Sequence, residues 1–105
     1  MTSITPRELK QRLERGDALT LLDVRERGEH AICALPGDLL IPMGDLPARL
    51  HELDPDAETV VYCHHGMRSQ MVGSYLLQQG FADVANLNGG IAYWADAVEP
   101  SMPRY

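Results

Sequence analysis

Short apolar runs of strand length alternate along the chain with stretches whose apolar residues recur every three or four positions. Leu19-Thr20-Leu21-Leu22-Asp23-Val24, Leu39-Leu40-Ile41, Thr59-Val60-Val61 and Val84-Ala85-Asn86-Leu87 are the predicted strands. The first is mostly apolar, which suits a parallel sheet buried on both faces. Thr5-Pro6-Arg7-Glu8 predicts a helix start, with Thr5 as cap, Pro6 in the first helical position and Glu8 reaching back to the Thr5 amide. Leu9 and Leu13 then share a face, and Gly16 ends the helix. Arg27-Gly28-Glu29-His30 reads as a polar turn or short helix, and Pro36-Gly37 as a turn. Met43 to Leu53 carries Leu46, Leu50 and Leu53 on one side, which predicts a single helix with Pro47 early enough to be tolerated. Val72, Tyr75, Leu76 and Gln79 mark a helix that begins near Ser69 and is capped by Gly80. Asn88-Gly89-Gly90 turns into a last helix, Ile91 to Val98, stopped by Pro100. The tail from Glu99 to Tyr105 is expected to lie as an irregular strap over the surface.

Helix and strand in alternation at short intervals predict an α/β fold, an open and mainly parallel sheet with helices on both faces. With 105 residues, 45% of them apolar, the expectation is one domain over residues 1–105, with one core and one site. The net charge of −6 and the single lysine, Lys10, argue against nucleic acid or an anionic membrane as partner. The first residues lack a basic region followed by an apolar run, and no later run approaches membrane-spanning length, so a soluble, cytoplasmic protein is expected. Cys33 and Cys63 allow at most one disulfide, which this composition does not need. Histidines 30, 51, 64 and 65 lack the spacing of a zinc site, and neither a metal nor a cofactor is expected.

The candidate chemistry sits in Tyr62-Cys63-His64-His65-Gly66-Met67-Arg68-Ser69, between a predicted strand and a predicted helix. Unpaired amides and the positive end of the helix dipole favour an anion at such a junction, and a thiolate is one. An ordinary thiol titrates near 8.5, and settings of this kind lower it to about 3.5–7.5. No acid occurs between Glu58 and Asp83, whereas Arg68, His64 and His65 lie inside that interval. An anionic nucleophile with an anionic substrate would want this distribution; a buried strand and half-buried helix would exclude acids as well. Asp23 and Arg25 lie at the carboxyl end of a strand, the edge where sites form in open α/β sheets. Their alternative role is a structural ion pair that pins the loop.

Leu22-Asp23-Val24-Arg25-Glu26, the loop Cys63 to Arg68 followed by Ser69, and Leu87-Asn88-Gly89-Gly90-Ile91-Ala92-Tyr93-Trp94, in this order and spacing, resemble the rhodanese family of sulfurtransferases over nearly the whole chain. The resemblance implies a parallel sheet of about five strands and a nucleophile, Cys63, that carries sulfur as a persulfide. It implies that backbone amides of His64, His65, Gly66, Met67, Arg68 and Ser69 surround that sulfur, and that Arg68 supplies a fixed positive charge for an anionic donor such as thiosulfate. The acceptor would be a small nucleophile or a protein. The chain departs from many members in having Cys33-Ala34-Leu35 before Pro36-Gly37, where a Gly-His pair is usual. Cys33 is expected to be a packing residue, or else a thiol that resolves the persulfide or pairs with Cys63. Two other functions compete. Cysteine phosphatases and arsenate reductases of similar cradle generally have five residues between Cys and Arg, and only four separate Cys63 from Arg68. A non-catalytic interaction module would be expected to have lost the nucleophile that this chain keeps.

Overall fold

The computed structural model describes residues 1–105. Five parallel strands form one sheet: β1 Thr2–Ile4, β2 Thr20–Asp23, β3 Leu39–Leu40, β4 Glu58–Tyr62 and β5 Asp83–Leu87, in the spatial order β1-β5-β4-β2-β3. The helices are α1 Pro6–Glu14, α2 Arg27–Ile32, α3 Leu46–Arg49, α4 Met67–Gln78 and α5 Gly90–Ala97.

Successive side chains of a strand point to opposite faces, so each central strand feeds two cores. Leu21, Val60, Tyr62, Ala85 and Leu87 pack on one side with Leu9 of α1 and Ile91, Trp94 and Ala95 of α5. Leu22, Val61, Cys63 and Val84 pack on the other with Leu46 of α3 and Val72 and Leu76 of α4. The expected open parallel sheet with helices on both faces is therefore present. Burying each of the leucines, valines and isoleucines among them is worth roughly 1.5–3 kcal/mol. The central strand β4 is buried from Thr59 to Tyr62, and the chain leaves it directly at Cys63.

The start of α1 is as expected: the Thr5 hydroxyl accepts from the Glu8 amide at 3.1 Å, and Glu8 accepts from the Thr5 amide at 3.0 Å. Three elements differ from expectation. Strand β1 was not visible in the sequence; it pairs with β5, Ile4 beside Leu87. The single helix expected over Met43 to Leu53 is three short pieces, 3-10 turns at Met43–Asp45 and Leu50–Glu52 around α3. Pro47 has no N–H for the carbonyl four residues back, and the Met43 carbonyl is taken instead by the Leu46 amide. Helix α4 begins at Met67, two residues before the expected start, because Gly66 at φ +110° turns the chain into it. No helix is long and apolar enough to cross a membrane.

Candidate active site

Cys63 follows the end of β4, and its sulfur lies under the first turn of α4. The amide of Gly66 donates to Sγ at 3.1 Å and that of Ser69 at 3.4 Å, while the Ser69 hydroxyl lies 3.3 Å away. Burial alone would push the thiol up. The Ser69 hydroxyl and amide, and then the amides of Gly66 and Arg68, outweigh it and hold the Cys63 pKa below its ordinary value. Of the loop amides implied by the resemblance, it is those at the helix start that reach the sulfur.

The loop is fixed from outside by β5 and α5. Asn86 donates from Nδ2 to the Gly66 carbonyl at 3.2 Å and accepts the Ser69 hydroxyl at Oδ1 at 2.5 Å. The amides of Ile91 and Ala92 donate to the carbonyls of Cys63 and His64 at 2.9 and 3.0 Å. This approach requires Gly90, because a β-carbon there would stand 2.3 Å from the His64 carbonyl oxygen. The turn Asn88-Gly89-Gly90 thus belongs to the site as its backing.

At the end of β2, Asp23 and Arg25 form a fully buried ion pair. Arg25 donates to both Asp23 oxygens, at 3.0 and 2.9 Å, to the Cys33 carbonyl at 2.7 Å and to the Tyr105 hydroxyl at 3.0 Å. Tyr105 in turn donates to Glu29 at 2.8 Å. Its ring stacks on His64 with centroids 4.0 Å apart, and His64 meets His65 at the same distance. The tail is irregular, as expected of a strap, but it is anchored: Met102 is buried in the core and Tyr105 lies on the loop. Burial, and then the neighbouring His65, lower the His64 pKa, so His64 is neutral at pH 7. His65 and Met67 are exposed.

Arg68, expected to supply a fixed positive charge, is paired with a carboxylate. Its two terminal nitrogens donate to the two oxygens of Glu29, at 2.7 and 2.9 Å. The interval free of acids around Cys63 is free of them only along the chain, because α2 brings Glu29 into it from 39 residues away. The Arg68 hydrogen bonds hold the Glu29 pKa at about 2, and the pairing raises that of Arg68.

Sequence reasoning passed over Glu29, Asn86 and Tyr105 as site residues. Glu29 carried one signal, its place four residues after Arg25 at a strand end. Cys33 and Cys63 are both free thiols. Cys33 packs against the core and lines a cleft of about 170 Å³ with His64, His65 and Tyr105. Asp23, His30 and Asp38 bring ligand atoms within 4.8 Å of one another, the one grouping with a metal-like donor set. Of the three, Asp23 has both oxygens taken up by Arg25. Asp38 accepts from the Tyr62 hydroxyl at 2.5 Å and lies 3.2 Å from His30.

The family model described as "Rhodanese-like domain" matches residues 5–97. A "Sulfurtransferase" of Allochromatium vinosum is 39% identical over 95 residues, covering 90% of this chain and 89% of that protein. The "Probable adenylyltransferase/sulfurtransferase MoeZ" of Mycobacterium tuberculosis is 38% identical over 106 residues, covering 99% of this chain and 27% of that longer protein. A rhodanese-like domain protein of Staphylococcus aureus has a crystal structure that superposes with a TM-score of 0.85 at 35% identity, covering 93% of this chain and 95% of that one. The motifs, the sheet and these matches agree: the chain belongs to the rhodanese-like domain family.

Proposed function

We propose that the chain is a sulfurtransferase in which Cys63 takes a sulfane sulfur from a donor such as thiosulfate and passes it to a nucleophilic acceptor. The observation that carries this reading is the Cys63 sulfur itself, which receives two amide hydrogens and lies against the Ser69 hydroxyl, with its pKa lowered. In the first step the thiolate attacks the outer sulfur of the donor. A new S–S bond forms, the donor's S–S bond breaks, and its electron pair leaves with sulfite or a thiolate. The cysteine then carries a persulfide, and the same amides stabilise its negative charge. In the second step cyanide, a thiol or a protein attacks the outer sulfur and regenerates the Cys63 thiolate. Residues 1–105 act as one domain, and no metal or cofactor is required. A reducing, cytoplasmic compartment suits its two free thiols.

Delivery to a protein acceptor is supported by two features. Met67 and Met71 on α4 are exposed, Met67 being the residue next to Gly66 in the loop. The similar MoeZ carries this domain inside a longer protein named for adenylyl and sulfur transfer. A phosphatase reading is less well supported. Glu29, the carboxylate paired with Arg68, is held ionised by that pair and has no proton to give a leaving group at neutral pH. Steady-state kinetics with donor and acceptor varied together test the two-step scheme. Parallel double-reciprocal lines are expected, and intersecting lines would rule it out.

A further inference from the structure

The Glu29 carboxylate is saturated. One oxygen accepts from Arg68 Nη1 at 2.7 Å and from the Glu26 amide at 3.0 Å, and the other from Arg68 Nη2 at 2.9 Å and the Tyr105 hydroxyl at 2.8 Å. A carboxylate has about four acceptor positions, so none remains for a substrate proton. Its remaining effect on Cys63 is electrostatic. The charges that act on the next loop residue, His64, are those of Glu29, Arg68 and Arg25, and each guanidinium is paired with a carboxylate, Arg68 with Glu29 and Arg25 with Asp23. His64 is neutral and adds nothing. The site therefore holds no surplus positive charge beyond its amide dipoles, and the thiolate's own charge is left over. A dianion that approaches such a centre meets repulsion, while a neutral or singly charged donor does not. Cys63 is only 1% exposed, so such repulsion at its sulfur is poorly screened by solvent.

We propose that Glu29 selects the sulfur donor by charge: it cancels Arg68 beside Cys63, and the site takes an organic persulfide with at most one negative charge in preference to the thiosulfate dianion. This rests on the reading of Cys63 as the sulfur-accepting nucleophile. The preferred step is attack of the Cys63 thiolate on the outer sulfur of R–S–SH, which forms Cys63–S–SH and releases R–S⁻, the electron pair of the broken S–S bond leaving with R–S⁻. Glu29 does not touch the reacting atoms and is a positioning residue that acts through Arg68.

The test begins with a measurement that needs no sulfur transfer. Cys63 is alkylated with anionic iodoacetate and neutral iodoacetamide, and the rates are read on its own peptide so that Cys33 does not contribute. Glu29→Gln is expected to raise the iodoacetate-to-iodoacetamide rate ratio about tenfold. Glu29→Asp, which keeps the charge, should leave the ratio low, and Glu29→Gln with Arg68→Gln should remove the gain. In turnover, Glu29→Gln should raise kcat/KM for thiosulfate by a similar factor and change that for 2-hydroxyethyl persulfide, whose only ionisable group is the persulfide itself, less than about twofold. An unchanged or lower ratio in a Glu29→Gln protein of unaltered melting would overturn the proposal. So would a wild type that prefers thiosulfate. A raised ratio with no sulfur loaded from either donor would instead overturn the sulfur-transfer reading and leave the charge role of Glu29 standing.

Discussion

The Ser69 hydroxyl stands between Cys63 Sγ, 3.3 Å away, and Asn86 Oδ1, 2.5 Å away. It has one hydrogen to give. When Cys63 is a thiol, the S–H donates to Ser69 and Ser69 donates to Asn86. When Cys63 is a thiolate, the Ser69 hydrogen is better placed on sulfur. Ser69→Ala removes that choice and leaves the thiolate with amides alone. A hydrogen bond to a charged group is worth about 1.5–3 kcal/mol, or roughly one to two pKa units. The pH profile of Cys63 alkylation should therefore move up by about that much in Ser69→Ala. An unmoved profile would show that the amides alone set the acidity.

The wild-type profile has a sign that follows from the same contacts. The folded thiol titrates below its unfolded value, so its ionisation contributes stability above the unfolded pKa of about 8.5. That contribution is lost as pH falls through the folded pKa. Denaturant midpoints across this range should be higher at the alkaline end for wild type than for Cys63→Ser, which has no such titration.

Gly66 adopts φ +110°, where a β-carbon would still find only ordinary contacts at 3.8 Å. The constraint is therefore on backbone conformation and not on space. Gly66→Val should abolish sulfur transfer with little loss of fold, as read by turnover and by thermal melting. Full activity in this variant would count against the loop geometry described.

Gly90, at φ +64°, is constrained in space as well as in conformation. A β-carbon there would clash with backbone at 2.3 Å from the His64 carbonyl oxygen and 2.6 Å from that of Cys63. Gly90→Ala should push α5 away from the loop and cost roughly 1–3 kcal/mol, or more, in a denaturant titration.

Cys33 offers a thiol near the mouth of the site, and its packing against the core is sufficient reason for its presence. Cys33→Ser should fold equally well and discharge the persulfide within about twofold of the wild-type rate, the small change expected away from reacting groups. A larger change in either direction would make it a resolving thiol.

Strands β2, β4 and β5 were legible because each is an apolar run of strand length, and Cys63 was legible because it ends one of them just before helical periodicity begins. Strand β1 was not, since Thr2 and Ser3 are exposed and only Ile4 is buried; its register depends on β5, more than 80 residues away. The break at Pro47 was hidden by leucines whose spacing is helical even where the hydrogen bonds are not. Asn86 and Tyr105 carry no local pattern, and Glu29 only its place after a strand end. They reach the loop only through the sheet order and the anchored tail, so the electrostatics of Arg68 were beyond any reading along the chain.

The central claim, that Cys63 carries the sulfur, is tested most directly by an intact-mass spectrum of the reduced protein after incubation with glutathione persulfide or thiosulfate, beside Cys63→Ser, followed by cyanide. The account predicts a gain of one sulfur atom on the wild type alone, discharged by cyanide. No gain on a folded wild type, or an equal gain on Cys63→Ser, would contradict it.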